Sequence, residues 1–273
     1  MKIGVRGHDY GRHSAAEYAR LLRAEGYDTV QLAVPKAIEG VNGFDEITPK
    51  LLDEIREEFL AQKVEIGVFS CYVDLSNPDR EVRTRAVETF CRGLGFAKAA
   101  GAKMTGTETS YEKLGRMEKC RRFPYMLESV KRIAEEAERV GMTIGLEPVA
   151  FHPLEDVETA MEVLGEVGSD KLRLIFDAAN LLPRPQEVVQ ESYWKRCLFL
   201  GGEKIAALHV KDFTVAPDGE RIACPLGEGV MELAPLWEWI RGKEEMAVIR
   251  DELVDLAFAP ADIAYLRKIK EDC

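Results

Sequence analysis

Three short apolar runs in the second half of the chain end in a side chain able to ligate a metal ion. TIGLEP ends its run at Glu147, LRLIFD at Asp177, and IAALHVKD carries His209 near its end. Two carboxylates and an imidazole suit a divalent ion such as Mn²⁺, Co²⁺, Zn²⁺ or Mg²⁺. Each residue alone has a plainer use. Glu147 could pair with a lysine, Asp177 could cap the turn at Asn180, and His209 could be a hydrogen-bonded core histidine. Three consecutive runs that end this way point instead to one shared centre. A fourth ligand is expected from MAVIRDEL, where Asp251 and Glu252 both stand. Side chains alternate along a strand, so only one of the two can face the centre. Glu252 is favoured for its longer reach and because Leu253 resumes an apolar run; Asp251 is the alternative.

For these run ends to meet, the runs must be parallel strands that finish on one rim. Eight β-rich apolar runs occur, at 2–6, 29–34, 64–69, 103–107, 143–147, 172–177, 205–210 and 246–250. Each is four to six residues long, as expected for strands buried on both faces. Amphipathic helical patterns at 14–25, 49–62, 79–100, 119–140, 154–167, 185–200, 231–239 and 260–270 separate them, and Gly26, Gly101, Gly141 and Gly168 directly follow four of these. A glycine there is the usual helix stop. Eight strand–helix alternations over 273 residues predict an α/β chain folded as one (β/α)₈ TIM barrel domain spanning 1–273. A doubly wound open sheet is the competing architecture. The longest irregular stretches, 72–78, 109–116 and 213–229, follow strands, where a barrel builds its site.

Polar groups mark the other strand ends as well: His8 and Asp9, Gln31, Ser70 with Cys71 and Tyr72, Glu108, His152 and Lys211. Such a ring around a metal suits a polyhydroxylated ligand. Barrel packing is the plain alternative for Gln31, Ser70 and Cys71, and an ion pair for Asp9 and Lys211. The net charge of −11 speaks against nucleic acid as partner. No apolar run approaches the roughly 20 residues of a membrane span, and the first residues lack the apolar stretch of a signal peptide. Six scattered cysteines without a CxxC pair fit reduced thiols, so a cytoplasmic location is expected.

The chain resembles the xylose-isomerase-like barrel superfamily of sugar isomerases and epimerases. The resemblance rests on GLEP at Glu147, FDAANLL at Asp177, ALHVKD at His209, the loop PLGEGVMELAPLWEWI, the N-terminal IGVRGHDYG, and GTETS at Glu108. It implies one divalent ion held by Glu147, Asp177, His209 and an eighth-strand carboxylate, Glu252 or Asp251. It further implies Glu147 and Glu252 as a catalytic pair that moves a proton beside a carbonyl. His8, Glu108, His152, Lys211 and Arg250 are the expected substrate contacts, with Arg250 suited to a phosphate or carboxylate. The sequence differs from the best-known epimerases of the family in having Asn180 in place of a histidine and Val215 in place of an arginine. The expected function is isomerisation or epimerisation of a sugar or sugar phosphate, in a chain that could form homo-oligomers. A dehydratase on a related keto-polyol and a non-catalytic ligand-binding barrel are the alternatives. A multi-zinc phosphodiesterase would need more than four histidines. A paired-carboxylate glycosidase with Glu108 as its acid is disfavoured by His209 on the seventh strand. The GEG at Gly227 is weak evidence for phosphate binding, and no nucleotide motif occurs.

Overall fold

The computed structural model describes residues 1–182, 184–251 and 256–272. Eight strands, Lys2–Arg6, Thr29–Leu32, Glu65–Ser70, Met104–Thr107, Thr143–Leu146, Leu172–Asp177, Ile205–Val210 and Ala247–Arg250, form a closed barrel. Every neighbouring pair is parallel, and the first strand closes on the eighth from Lys2↔Ala247 to Val5↔Arg250. The expected (β/α)₈ barrel is the fold.

The helices begin and end where local chemistry demands. Ser14 and Glu17 form a reciprocal capping box at the helix Ala15–Glu25, a feature that stabilises a helix start by about 1 kcal/mol. That helix stops at Gly26 (φ +99°), which takes the left-handed conformation glycine adopts without strain. Its Ala15, Tyr18, Ala19 and Leu22 are buried, one helical face turned to the barrel. The helices Pro49–Ala61, Arg80–Ala99 and Val157–Val167 start on Thr48, Asp79 and Asp156 side chains.

Other boundaries differ from the sequence reading. The helix expected at 119–140 starts earlier and runs Arg116–Val140. The stretch 185–200 divides into a 3₁₀ turn, Pro185–Glu187, and the helix Gln190–Gly201. The helix expected at 231–239 is shorter, Ala234–Trp239. The stretch 213–229, expected to be irregular, holds an antiparallel pair, Asp212–Val215 with Arg221–Cys224. APDGE supplies its turn, with Gly219 at φ +88°.

Packing inside the barrel fixes the layering of the site. Val68, Met104, Ile175, Ala207, Ala247 and Ile249 form a buried cluster in the lumen. Glycines leave room for it. A Cβ on Gly106 would lie 2.5 Å from Val68 Cγ1, and one on Gly145 would lie 2.8 Å from Ile175 Cγ1. Two residues further along these strands, at the next inward positions, stand Glu108, Glu147, Asp177, His209 and Asp251. The alternation of a closed barrel thus sets one polar layer on top of an apolar plug.

Candidate metal centre

Glu147, Asp177 and His209 are all buried, and one ligand atom from each lies within 4.8 Å of the others. His209 Nδ1 is 3.2 Å from Glu147 Oε2 and 3.9 Å from Asp177 Oδ2. Donors about 2.1 Å from one ion sit roughly 3.0–3.4 Å apart, so this spacing suits a shared cation. The hydrogen bonds around the three engage their outer atoms, while the inner atoms meet charged groups, Asp177 Oδ2 lying 3.1 Å from the Lys211 ammonium. His209 Nε2 is tied to Gln31 Oε1 at 2.6 Å, and the Gln31 amide in turn donates to Tyr72 OH at 2.9 Å. A proton on Nε2 leaves the Nδ1 lone pair facing the centre. Asp177 divides its work: Oδ1 accepts the Asn180 backbone N–H at 2.9 Å, while Oδ2 accepts no hydrogen bond and faces inward. Buried Nδ1 of His209 also has no hydrogen-bond partner. Converging donor atoms of this kind, without hydrogen-bond partners, fit a metal ion.

Asp251 joins the three from the eighth strand, its Oδ2 3.9 Å from His209 Nδ1. Of the two carboxylates considered there, Asp251 is the one seen in the mouth; Glu252 lies outside the described residues. Arg250 does not reach the mouth, which corrects its expected substrate contact. Ile249 points into the lumen, so Arg250 points outward; it is buried and paired with Asp262 of the helix Ala259–Asp272. Lys211 lies 3.1 Å from Asp177 Oδ2, 3.4 Å from Asp251 Oδ2 and 3.0 Å from Asn180 Oδ1. Asn180 also donates to Glu147 Oε1 at 2.8 Å. The residue that departs from the family pattern therefore orients a candidate ligand. Val215 sits in the antiparallel pair rather than in this network.

Of the remaining expected contacts, His8, Glu108 and the Glu147–His209–Asp251 group line a cavity of about 270 Å³ at the barrel mouth. His152 is buried beside it, its Nδ1 3.5 Å from Glu108 Oε2. Sequence reading missed Arg6 and Lys36, which also line the cavity. Arg6 pairs with Asp9 and lies 3.5 Å from Asp251 Oδ1; strand alternation through Gly4 could have revealed its inward position. Lys36 sits over the Tyr72 ring at 4.5 Å. A larger hollow of about 920 Å³ opens at the opposite end of the barrel. Ion pairs occupy several of its charges, among them Lys2 with Glu65 at 2.8 Å and Lys270 with Asp28 at 2.8 Å, and the converging donors are absent there among the described residues.

The GEG loop has a structural role. Asp212 accepts the backbone N–H groups of Gly227, Gly229, Met231 and Phe213 at 2.9–3.1 Å. Its carboxylate occupies the place a phosphate would need. A Cβ on Gly229 would fall 2.0 Å from Asp212 Oδ1, which explains the glycine.

Crowded carboxylates govern the protonation of the mouth. Burial disfavours the His209 imidazolium, but Glu147 and Asp251 outweigh it and hold its pKa up to about 9. Burial, with Glu147 next, lifts Glu108 to about 8. Burial raises Asp177 to about 6 despite Lys211. Asp251 goes the other way: burial is outweighed by Lys211, His209 and Arg6, which hold it well below the usual carboxylate range. Burial lowers His8 and His152 to about 4. Such a proton-rich layer of like charges is what a divalent ion would neutralise.

Comparison with known proteins agrees with this architecture. The family model for the xylose isomerase-like TIM barrel matches residues 19–245. No protein of curated function matches in sequence. Among solved structures, a D-psicose 3-epimerase with D-tagatose from Clostridium cellulolyticum H10 superposes with a TM-score of 0.75 at 15% identity, covering 98% of this chain and 99% of that one. A xylose isomerase-like TIM barrel protein from Mycobacterium smegmatis in complex with magnesium gives 0.73 at 16% identity, covering 98% and 96%. A probable 3-DHS dehydratase, AsbF, from Bacillus anthracis gives 0.74 at 16% identity, covering 98% and 99%. At these identities the likeness is one of fold, while the matched family model spans most of the chain. The chain belongs to the xylose isomerase-like TIM barrel family.

Proposed function

We propose that the protein is a divalent-metal-dependent isomerase or epimerase of a sugar or sugar phosphate, acting by proton transfer through an ene-diolate. The observation that carries this reading is the buried convergence of Glu147, Asp177 and His209, with Asp177 Oδ2 and His209 Nδ1 lacking hydrogen-bond partners. Asp251 is the fourth member of the ligand set. The ion, when bound, supplies Lewis acidity toward a carbonyl and its neighbouring hydroxyl. Glu147 is the base that takes the proton from the carbon beside that carbonyl. Asn180 holds one of its oxygens and leaves the other toward the centre. Gln31 fixes the His209 tautomer, and Lys211 and Arg6 bring positive charge to the layer where an oxyanion would develop. His8 and Lys36 complete the cavity wall around a ligand of a few carbons.

The test is metal content by mass spectrometry on protein purified without chelator or immobilised nickel, followed by incubation with ketoses in heavy water. About one manganese, cobalt, zinc or magnesium ion per chain and deuterium uptake beside the carbonyl is the expected result. Absence of metal even after manganese is added would refute the centre. Loss of water from the sugar instead of rearrangement would replace isomerisation with dehydration.

A further inference from the structure

The four carboxylates of the mouth layer are not equivalent. Glu147 is held by Asn180 and His209, Asp177 by Lys211 and the Asn180 backbone, and Asp251 by Lys211 and Arg6. Glu108 differs in its partner: it lies within the charge field of Glu147, Asp251 and Lys211, and its ion-pair contact is His152, whose Nδ1 lies 3.5 Å from Oε2. That imidazole is 5% exposed, and its Nδ1 has no hydrogen-bond partner, so the ring is a buried group aimed at one carboxylate. Glu108 keeps a third of its side-chain surface open and lines the same cavity as Glu147. The register brings them together: Gly106 pairs with Gly145, so the inward residues two further on, Glu108 and Glu147, stand side by side on adjacent strands.

We infer that Glu108 is a second catalytic residue of the proposed reaction, an oxygen-to-oxygen proton carrier set by the positioning residue His152. This rests on the proton-transfer reading above. In the step, Glu147 takes the proton of the C–H bond, whose electron pair becomes the new C=C bond. The carbonyl π pair moves to oxygen and gives the ene-diolate, from which deuterium exchange at Glu147 already occurs; in a separate later step the Glu108 carboxyl hands that oxygen its proton. The Glu108 carboxylate then takes the proton of the adjacent hydroxyl, whose oxygen becomes the new carbonyl as Glu147 returns its proton to the other carbon. Both residues end as they began, and no co-reactant is consumed. Adjacent strands put the two carboxyl groups on one side of the substrate, the arrangement that shifting a carbonyl between neighbouring carbons requires.

The test compares wild type, Glu108→Gln and His152→Gln, each loaded with manganese, on D-fructose, D-tagatose and their 6-phosphates. Deuterium exchange in heavy water reads the Glu147 step, and product formation reads the whole reaction. In Glu108→Gln, product formation should fall about 10²-fold while exchange falls less than tenfold and manganese affinity is retained. His152→Gln should lower kcat with KM unchanged and displace one limb of its pH profile. Equal loss of exchange and product formation in Glu108→Gln would overturn the assignment, as would unchanged product formation. Loss of manganese from that variant would make Glu108 a ligand instead. If wild type exchanges hydrogen with none of these sugars, the proton-transfer reading itself fails, and the carrier role with it.

Discussion

At the scale of single residues, the candidate centre separates the proposed ligands from the groups that would aim them. His209→Ala removes a candidate ligand whose side chain is 1% exposed. Glu147→Gln keeps the shape and removes the charge. Both variants should fold and lose stoichiometric metal, and mass spectrometry on the purified proteins reads this directly. Gln31→Ala acts at one remove, by freeing the His209 ring at Nε2. Loss of such an outer partner weakens metal affinity by about 10–100-fold. Calorimetric titration with manganese should therefore rank wild type above Gln31→Ala, and Gln31→Ala above His209→Ala. If Gln31→Ala binds as tightly as wild type, the tautomer argument is wrong. The three candidate ligands were readable in the sequence because each ends an apolar run. The aiming residues were harder to read: Gln31 has the pattern of a core residue, and Asn180 stands out only as a departure from a family pattern.

At the scale of elements, strands and their inward faces were legible, and loops were less so. Buried parallel strands leave continuous apolar runs, and glycine stops leave single unmistakable letters, so all eight strands fall within two residues of expectation at either end. Register within the last strand was not legible. Whether Asp251 or Arg250 enters the mouth depends on how Ala247 and Ile249 pack on Val68 and Ile175, a tertiary fact that no local pattern holds. The loop after the seventh strand concealed its order for a similar reason. Its antiparallel pair is held by APDGE at the turn, but its return is organised by Asp212, one carboxylate reaching amides as far as 19 residues away. Asp212→Ala would leave four backbone N–H groups to find new partners, at a cost of about 3 kcal/mol or more. Urea unfolding should show that loss, and proteolysis should cut between 213 and 231 in the variant before it cuts elsewhere. A variant as stable and as protease-resistant as wild type would show that Asp212 does not organise the loop.

At the scale of the whole molecule, the mouth links folding stability to pH and to metal. No helix among the described residues is long and apolar enough to cross a membrane, and stability rests on the barrel and its helices. The buried layer nevertheless contributes a term with a definite sign. His209 has its pKa raised to about 9 in the fold, against about 6.5 unfolded. Glu108 is raised to about 8, against about 4.3 unfolded. A raised pKa means that the folded state binds more protons than the unfolded one between the two values. Metal-free stability is then full below the unfolded pKa and is lost as pH rises through the folded one. For His209 the loss spans roughly pH 6.5 to 9, and Glu108 adds to it up to about pH 8. A divalent ion displaces these protons, so its binding strengthens over the same window. At about 100 times its Kd, a ligand adds about 2.7 kcal/mol to stability. The rise in Tm on adding manganese should therefore be small near pH 6 and grow steadily toward pH 8.5, while the chelator-treated protein loses stability. Scanning calorimetry with and without manganese across that range measures both curves. A metal-induced shift that is constant or shrinks with pH would mean that the ion binds somewhere other than among Glu147, Asp177, His209 and Asp251.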